Sequence, residues 1–106
     1  MNLSLRQTDG YTTVDVNEER IDVQNAEEFR KHLLQLIQSG TKTIIVDLGA
    51  VRFVDSSGLG ALVYALRESK LAKGDLKVAN LHNQVYAMFK VTRLNKIFDI
   101  VELEES

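Results

Sequence analysis

Hydrophobic positions alternate with polar ones at the start of the chain. Val14 and Val16 fall on one face of an alternating segment that follows the turn signal Asp9-Gly10. A weaker alternation, at residues 3–7, precedes Asp9-Gly10. Alternation on both sides of an Asp-Gly turn predicts a β-hairpin. We interpret the polar residues 17–22, which follow, as a connection.

Further along, apolar residues recur at helical spacing in three segments. The first begins after Asn25, which stands three residues before Glu28 as in a capping box, and is predicted to end at Ser39-Gly40. The second follows residue 56 and is predicted to end at Gly74. The apolar positions of the three helices are, in order, Ala26, Phe29, Leu33, Leu36 and Ile37; Leu59, Leu62, Val63 and Leu66; and Val85, Met88 and Phe89.

Strands are predicted between these helices. Residues Thr43 to Leu48 form a nearly continuous apolar, β-branched run, which is typical of a strand buried on both faces of a sheet. Shorter strands are predicted at Leu76–Ala79 and Ile97–Leu103. Helices that alternate with strands require parallel pairing. The order ββαβαβαβ therefore predicts one α/β domain over residues 1–106, with a mixed sheet, an antiparallel first strand and helices packed on the sheet.

Composition narrows the function classes. The chain has 106 residues and a net charge of −2, so nucleic acid is not an expected partner. It has no cysteine, which excludes disulfides, thiol catalysis and cysteine-bound zinc. No signal-peptide pattern and no membrane-length apolar run is found, and we expect a soluble cytoplasmic protein without a cofactor.

The most informative stretch is Val-Asp-Ser-Ser-Gly-Leu-Gly at residues 54–60, where an apolar run turns into a helix. A helix N-terminus presents unpaired N–H groups and a partial positive charge, so it accommodates an anion. Plain N-capping by Asp or Ser is the simpler interpretation. Gly58 and Gly60, however, each cost the helix roughly 1 kcal/mol against Ala. They suggest backbone left open for a partner, although close packing is an alternative.

Enzyme motifs fit this stretch less well. A nucleophile elbow fails around Ser57 and is half-matched around Ser56, and no P-loop follows the glycines. A dinucleotide fingerprint would need a third glycine where Val63 stands. The two histidines, His32 and His82, are more simply surface or satisfied residues. A metal site is not expected, and a small nucleotide-binding or hydrolytic enzyme remains a weak alternative to a binding protein.

The same stretch, preceded by Ile-Ile-Val-Asp-Leu, resembles the signature of the bacterial anti-sigma factor antagonists, the STAS-domain family. The resemblance extends over nearly the whole chain. It implies a non-catalytic domain whose serine after the Asp, here Ser56, is phosphorylated by an anti-sigma factor that acts as a serine kinase with a histidine-kinase-like ATPase fold. In that family the unphosphorylated form binds that factor and frees the sigma factor, and a PP2C-type phosphatase resets the antagonist.

The resemblance also implies which residues neighbour the phosphate and the partner. These are Asp22, Asp55, Ser57, Gly58, Leu59 and Gly60. Two features depart from the family pattern: Glu19 stands where a glycine is usual, and the chain stops at Glu104-Glu105-Ser106, where many members carry a further helix. A constitutive subunit of a lipid or solute transport complex, never phosphorylated, is the alternative function.

A local mechanism follows from the motif. If Ser57 is the N-cap, its hydroxyl is held by a backbone N–H, and Ser56 lies one residue outside the helix with a free hydroxyl. Phosphorylation of Ser56 would add charge without disturbing the fold. We further expect Gly58→Ala to preserve stability and weaken partner binding, because a helical glycine has a negative φ.

Overall fold

The helices and strands follow one another as in an α/β domain. The computed structural model describes residues 1–103, so the segment Glu104-Glu105-Ser106 lies outside the described residues. The elements are β1 (Leu3–Thr8), β2 (Tyr11–Val16), β3 (Arg20–Ile21), α1 (Ala26–Gln38), β4 (Thr43–Asp47), β5 (Phe53–Val54), α2 (Ser56–Leu71), β6 (Asp75–Ala79), α3 (Asn83–Val91), a turn of 3-10 helix (Leu94–Lys96) and β7 (Ile100–Val101).

Five strands form the main sheet in the order β1-β2-β4-β6-β7. β1 is antiparallel to β2, and the other pairs are parallel, which confirms the predicted mixed sheet. Three crossovers connect β2 to β4, β4 to β6 and β6 to β7, and all three move in the same direction along the sheet. Right-handed crossovers that share a direction bring their helices to the same face. The core therefore lies on one side of the sheet, under α1, α2 and α3.

Sheet register builds the core. Val14, Val46 and Val78 lie side by side on three adjacent strands, and all three are fully buried. Phe29 of α1 and Leu62 of α2 belong to the same cluster and are also fully buried. The run at residues 43–48 forms the strand β4, whose residues 44–46 are all buried, as the run predicts. The strand order places β4 at the centre of the sheet. Among the described residues, no helix is long and apolar enough to cross a lipid bilayer.

The last strand is shorter than predicted. Of residues 97–103 only Ile100–Val101 pair as a strand, after the 3-10 turn. The reason is Phe98, which is buried and meets Phe89 edge to face with ring centroids 5.7 Å apart. Bringing that ring into the core bends the chain, so the backbone becomes extended only beyond it.

α1 begins directly after Asn25, as predicted, but the capping at this boundary and the end of α2 differ from the sequence interpretation. Asn25 is the N-cap residue of α1, yet its side chain caps nothing. Its Oδ1 accepts the Asp22 N–H at 2.9 Å, and its amide donates to the Arg20 carbonyl at 2.9 Å. α2 ends before Lys73, which takes the left-handed conformation expected of Gly74. Gly74 is needed instead for close packing, since a Cβ there would lie 2.2 Å from the Lys42 carbonyl oxygen.

A second sheet was not predicted. β3 and β5 pair in parallel with only two residues each, Arg20 with Phe53 and Ile21 with Val54. Ile21 and Val54 are fully buried, so this small sheet continues the core. Residues 17–22, predicted to be a polar connection, therefore contain a strand that supports the segment preceding α2.

Ser69 on α2 offers a test of this core. Its side chain is 1% exposed, and its hydroxyl has no hydrogen-bond partner among the described residues. A buried hydroxyl without a partner costs about 1–3 kcal/mol. We expect Ser69→Ala to raise the free energy of unfolding by about 1 kcal/mol, measured by urea denaturation. Glu68→Ala, a neighbouring change outside the core, is the control. If Ser69→Ala were no more stable than the unmodified protein, the assignment of an unpaired hydroxyl would be contradicted.

Candidate functional site

The site is the junction between β5 and α2. Asp55 is the N-cap of α2, with an extended backbone (φ −92°, ψ −175°). The Gly58 N–H donates to its carboxylate Oδ1 at 3.0 Å, and the Leu59 N–H donates to its carbonyl oxygen at 3.0 Å. The prediction that Ser57 is the N-cap is therefore wrong. Asp55 occupies the N-cap position because its carboxylate accepts the N–H of the third residue of the helix, as capping side chains do.

Asp55 also binds a second segment of the chain. Its Oδ2 accepts the Val23 N–H at 3.2 Å, and its own N–H donates to the Ile21 carbonyl at 3.1 Å. One carboxylate thus joins the start of α2 to the turn between β3 and α1. Sequence reasoning had no signal for this contact, because it spans 32 residues through a strand pair only two residues long.

Asp22, which the family resemblance implies as a neighbour of the phosphate, lies in that same turn. Its Oδ1 accepts the Gln24 N–H at 3.0 Å, and its Oδ2 lies 3.4 Å from Arg20 Nε. Asp22 and Asp55 therefore stand on two adjoining turns that share the Val23 contact. The structure brings these two predicted residues together and orders both through backbone donors.

The two serines occupy the first turn of α2. Ser56 is the first helical residue and is exposed, whereas Ser57 is the second and is half-buried. The prediction that Ser56 lies one residue outside the helix is therefore wrong, because Ser56 is already part of its first turn. Within residues 1–103 no group pairs with either hydroxyl. Leu59 is the first residue of α2 whose N–H donates to a carbonyl of the same helix, that of Asp55. The N–H groups of both serines precede it, so they remain available to an anion at this turn.

Gly58 and Gly60 have different roles. A Cβ on Gly58 would lie 2.8 Å from the Ile21 carbonyl oxygen and 2.7 Å from Val54 Cγ1. A Cβ on Gly60 would meet nothing within 4 Å. Close packing, which the sequence left as an alternative, therefore explains Gly58, and the expectation that Gly58→Ala preserves stability is wrong. Of these two glycines, Gly60 is the exposed one with open space beside its backbone, while Leu59 between them is buried in the core.

Exposed side chains border the junction on the side of the small sheet. The Arg20 guanidinium lies 4.4 Å from the centroid of the Phe53 ring, and the two residues are register partners in β3 and β5. Val23, whose N–H binds Asp55, is 73% exposed. We call these three residues the partner patch. Sequence reasoning missed them; Phe53, an aromatic residue two positions before the N-cap, was the available signal.

Asp47, another carboxylate near a strand end, belongs to a separate polar cavity of about 640 Å³. Asn80 donates to its Oδ2 at 3.0 Å, and Arg6 binds Asp15 in the same cavity through two bonds of 2.7 and 2.8 Å. These charges pair with one another. His82 also lines this cavity and bonds the Gly49 carbonyl, while His32 lies beside Glu28. Each histidine is engaged away from the serine hydroxyls.

The described residues define a class of protein: a small α/β domain that presents an exposed serine at a helix N-terminus. Comparison with known proteins gives the family. The STAS domain family model matches residues 2–106. The anti-sigma-B factor antagonist of Bacillus subtilis (strain 168) is 33% identical over 100 residues, which cover 94% of this chain and 90% of that protein. The resemblance read from the sequence is confirmed, and the chain belongs to the STAS-domain family.

Solved structures agree on the fold. The anti-sigma factor antagonist SpoIIAA in its unphosphorylated form matches with a TM-score of 0.82 and 22% identity, covering 98% of this chain and 90% of that one. The Bacillus cell fate determinant SpoIIAA in the phosphorylated form matches with a TM-score of 0.75 and 22% identity, covering 98% and 93% of the two chains. The arrangement of strands and helices is therefore common to this family.

The two glycines provide a matched pair of variants. Gly58→Ala should lower the free energy of unfolding by about 1–3 kcal/mol, because the new methyl overlaps a backbone oxygen that cannot move freely. Gly60→Ala should raise it by up to about 1 kcal/mol, because Ala favours the helix and meets open space. Denaturant titration of both variants measures the difference. Equal stability of the two would remove close packing as the reason for Gly58.

Proposed function

We propose that this protein is a cytoplasmic anti-sigma factor antagonist that is switched by phosphorylation of Ser56 and is not itself an enzyme. In this proposal the unphosphorylated protein binds an anti-sigma factor with serine kinase activity and a histidine-kinase-like ATPase fold. Phosphorylation releases that partner, and a PP2C-type phosphatase restores the binding form. The observation that carries the proposal is the exposed Ser56 at the start of α2, directly beside Asp55 and the partner patch.

The relatives support this assignment. The matched Bacillus subtilis protein is named as an anti-sigma-B factor antagonist and aligns over nearly its whole length. SpoIIAA, which shares the fold, has been solved in both phosphorylated and unphosphorylated forms. A serine in the first turn of a helix is compatible with both forms, because the unpaired N–H groups and the dipole accommodate the added charge.

Charge is sufficient for the switch. A phosphate on Ser56 adds about −1.5 to −2 charge next to the carboxylate of Asp55. A partner that covers the partner patch must desolvate both charges. An unfavourable contribution of a few kcal/mol weakens binding by about 100-fold or more. The patch suits a partner in the unphosphorylated state, since Val23 and Phe53 offer apolar area and Arg20 offers a cation held over the ring.

Ser56 variants test the phosphorylation site and the binding switch together. Ser56→Ala should abolish labelling by the cognate kinase while keeping partner affinity. Ser56→Asp should weaken partner binding by about tenfold or more, because it introduces charge at the same place. Ser57→Ala is the matched control and should be labelled and bound as the unchanged protein is. Mass spectrometry locates the phosphate, and titration calorimetry measures affinity.

Two outcomes would contradict the proposal. Phosphate found on Ser57 alone would move the switch to the half-buried serine. Absence of labelling by any kinase of the host cell, with unchanged partner affinity in Ser56→Asp, would favour a constitutive subunit such as one in a transport complex.

A second experiment tests whether shape changes. Asp55 holds α2 and the β3–α1 turn through two backbone donors, and phosphorylation removes neither bond. We expect amide chemical shifts to change mainly at residues 55–60 and at Asp22 when Ser56 is phosphorylated. Two-dimensional NMR of the two forms measures this. Widespread shifts through the main sheet would instead indicate a conformational switch.

A further inference from the structure

The outer edge of β1 carries an open row of backbone groups. The Asn17 N–H donates to the Asn2 carbonyl at 2.9 Å, and the same antiparallel register continues along β1 and β2. In such a ladder hydrogen-bonded and non-bonded pairs alternate. The even-numbered residues of β1 therefore bond β2. The odd-numbered ones direct their N–H and C=O groups to the outside, and these are Leu3, Leu5 and Gln7.

This edge lacks the usual protection. Natural edge strands are blocked by proline, lysine, bulges or inward-pointing charges. The chain contains no proline, and β1 pairs with β2 over all six residues without a bulge. Its one charged residue, Arg6, is engaged by Asp15. Within residues 1–103 no other strand pairs with this edge.

An apolar surface accompanies the open edge. Leu5 is the register partner of Val14, which is fully buried, so its side chain is on the core side of the sheet. It is nevertheless 55% exposed. It borders an apolar cavity of about 300 Å³ between β1 and α1, to which Leu33 and Leu36 also contribute. The edge thus offers backbone hydrogen bonds and apolar area at one place.

We propose that a second copy of this chain pairs with β1 in an antiparallel, two-fold symmetric arrangement centred on Leu5. The outward-facing residues then form three hydrogen-bonded pairs, Leu5 with Leu5 and Leu3 with Gln7 twice. The two exposed Leu5 side chains meet across the symmetry axis, on the side of the apolar cavities. Arg6 falls opposite Ser4 of the other copy.

Charge repulsion and the contact between the two Leu5 side chains select the self-pairing register. Moving the centre to Arg6 would set two guanidinium groups opposite each other, which is unfavourable in a cross-strand pair. Moving it to Ser4 would lose the contact between the two Leu5 side chains. The sequence of β1 is therefore complementary to itself in the Leu5-centred register, which is why we assign the edge to a second copy.

Single cysteines test the register, because the chain has none of its own. In a hydrogen-bonded antiparallel pair the two Cα atoms lie about 5.5 Å apart, within the range that a disulfide spans. Leu5→Cys should therefore form a covalent dimer under mild oxidation. Gln7→Cys should not, because its two copies would lie about 13 Å apart along the strands. A mixture of Leu3→Cys and Gln7→Cys should cross-link to each other.

Sedimentation of the unmodified full chain supplies the second readout. We expect a reversible dimer whose dissociation constant rises about tenfold or more in Leu5→Lys, while circular dichroism shows an unchanged fold. Ser56→Asp should leave the dimer as it is, so the result is independent of the proposed switch. A monomer up to millimolar concentration together with no cross-linking of Leu5→Cys would overturn the proposal, and so would equal cross-linking of Gln7→Cys alone.

Discussion

The arrangement of the functional site depends on the carboxylate of Asp55. It accepts one backbone N–H from the first turn of α2 and another from Val23 in the β3–α1 turn. Each bond satisfies a donor that would otherwise lack a partner in the chain. Together they fix the start of α2 against the segment that carries Asp22. The position of Ser56, the next residue, is therefore set by a contact between distant parts of the chain.

Periodicity predicted the parts of the fold that are long enough to show it. The hairpin, the buried strand β4 and three helices follow from alternation and from 3.6-residue spacing. The small sheet does not, because two residues per strand contain no period. Ile21 and Val54 look like ordinary apolar residues in the sequence, and only pairing across the fold reveals them as a sheet. The last strand is shorter than the sequence predicts, because a buried aromatic residue such as Phe98 is compatible with either a strand or a turn.

The candidate site was predicted in composition but not in detail. The cluster of Asp, two Ser and two Gly indicated a helix N-terminus, and that is where it lies. Which residue caps the helix could not be decided, since Asp and Ser are both favoured there. The two glycines could not be told apart either. A glycine is required at position 58 because the Ile21 carbonyl oxygen and a Val54 methyl group leave no room for a Cβ, whereas position 60 has open space.

The switch and the proposed dimer use different elements of the chain. β1 is an edge strand, with β2 beyond it and β4 next, whereas the Ser56 turn is built from β5 and α2 outside the main sheet. A dimer through β1 would leave both copies of Ser56 exposed. Each copy would then carry its own phosphorylation site. A partner with two binding sites would then distinguish unphosphorylated, half-phosphorylated and fully phosphorylated dimers by the number of contacts that remain.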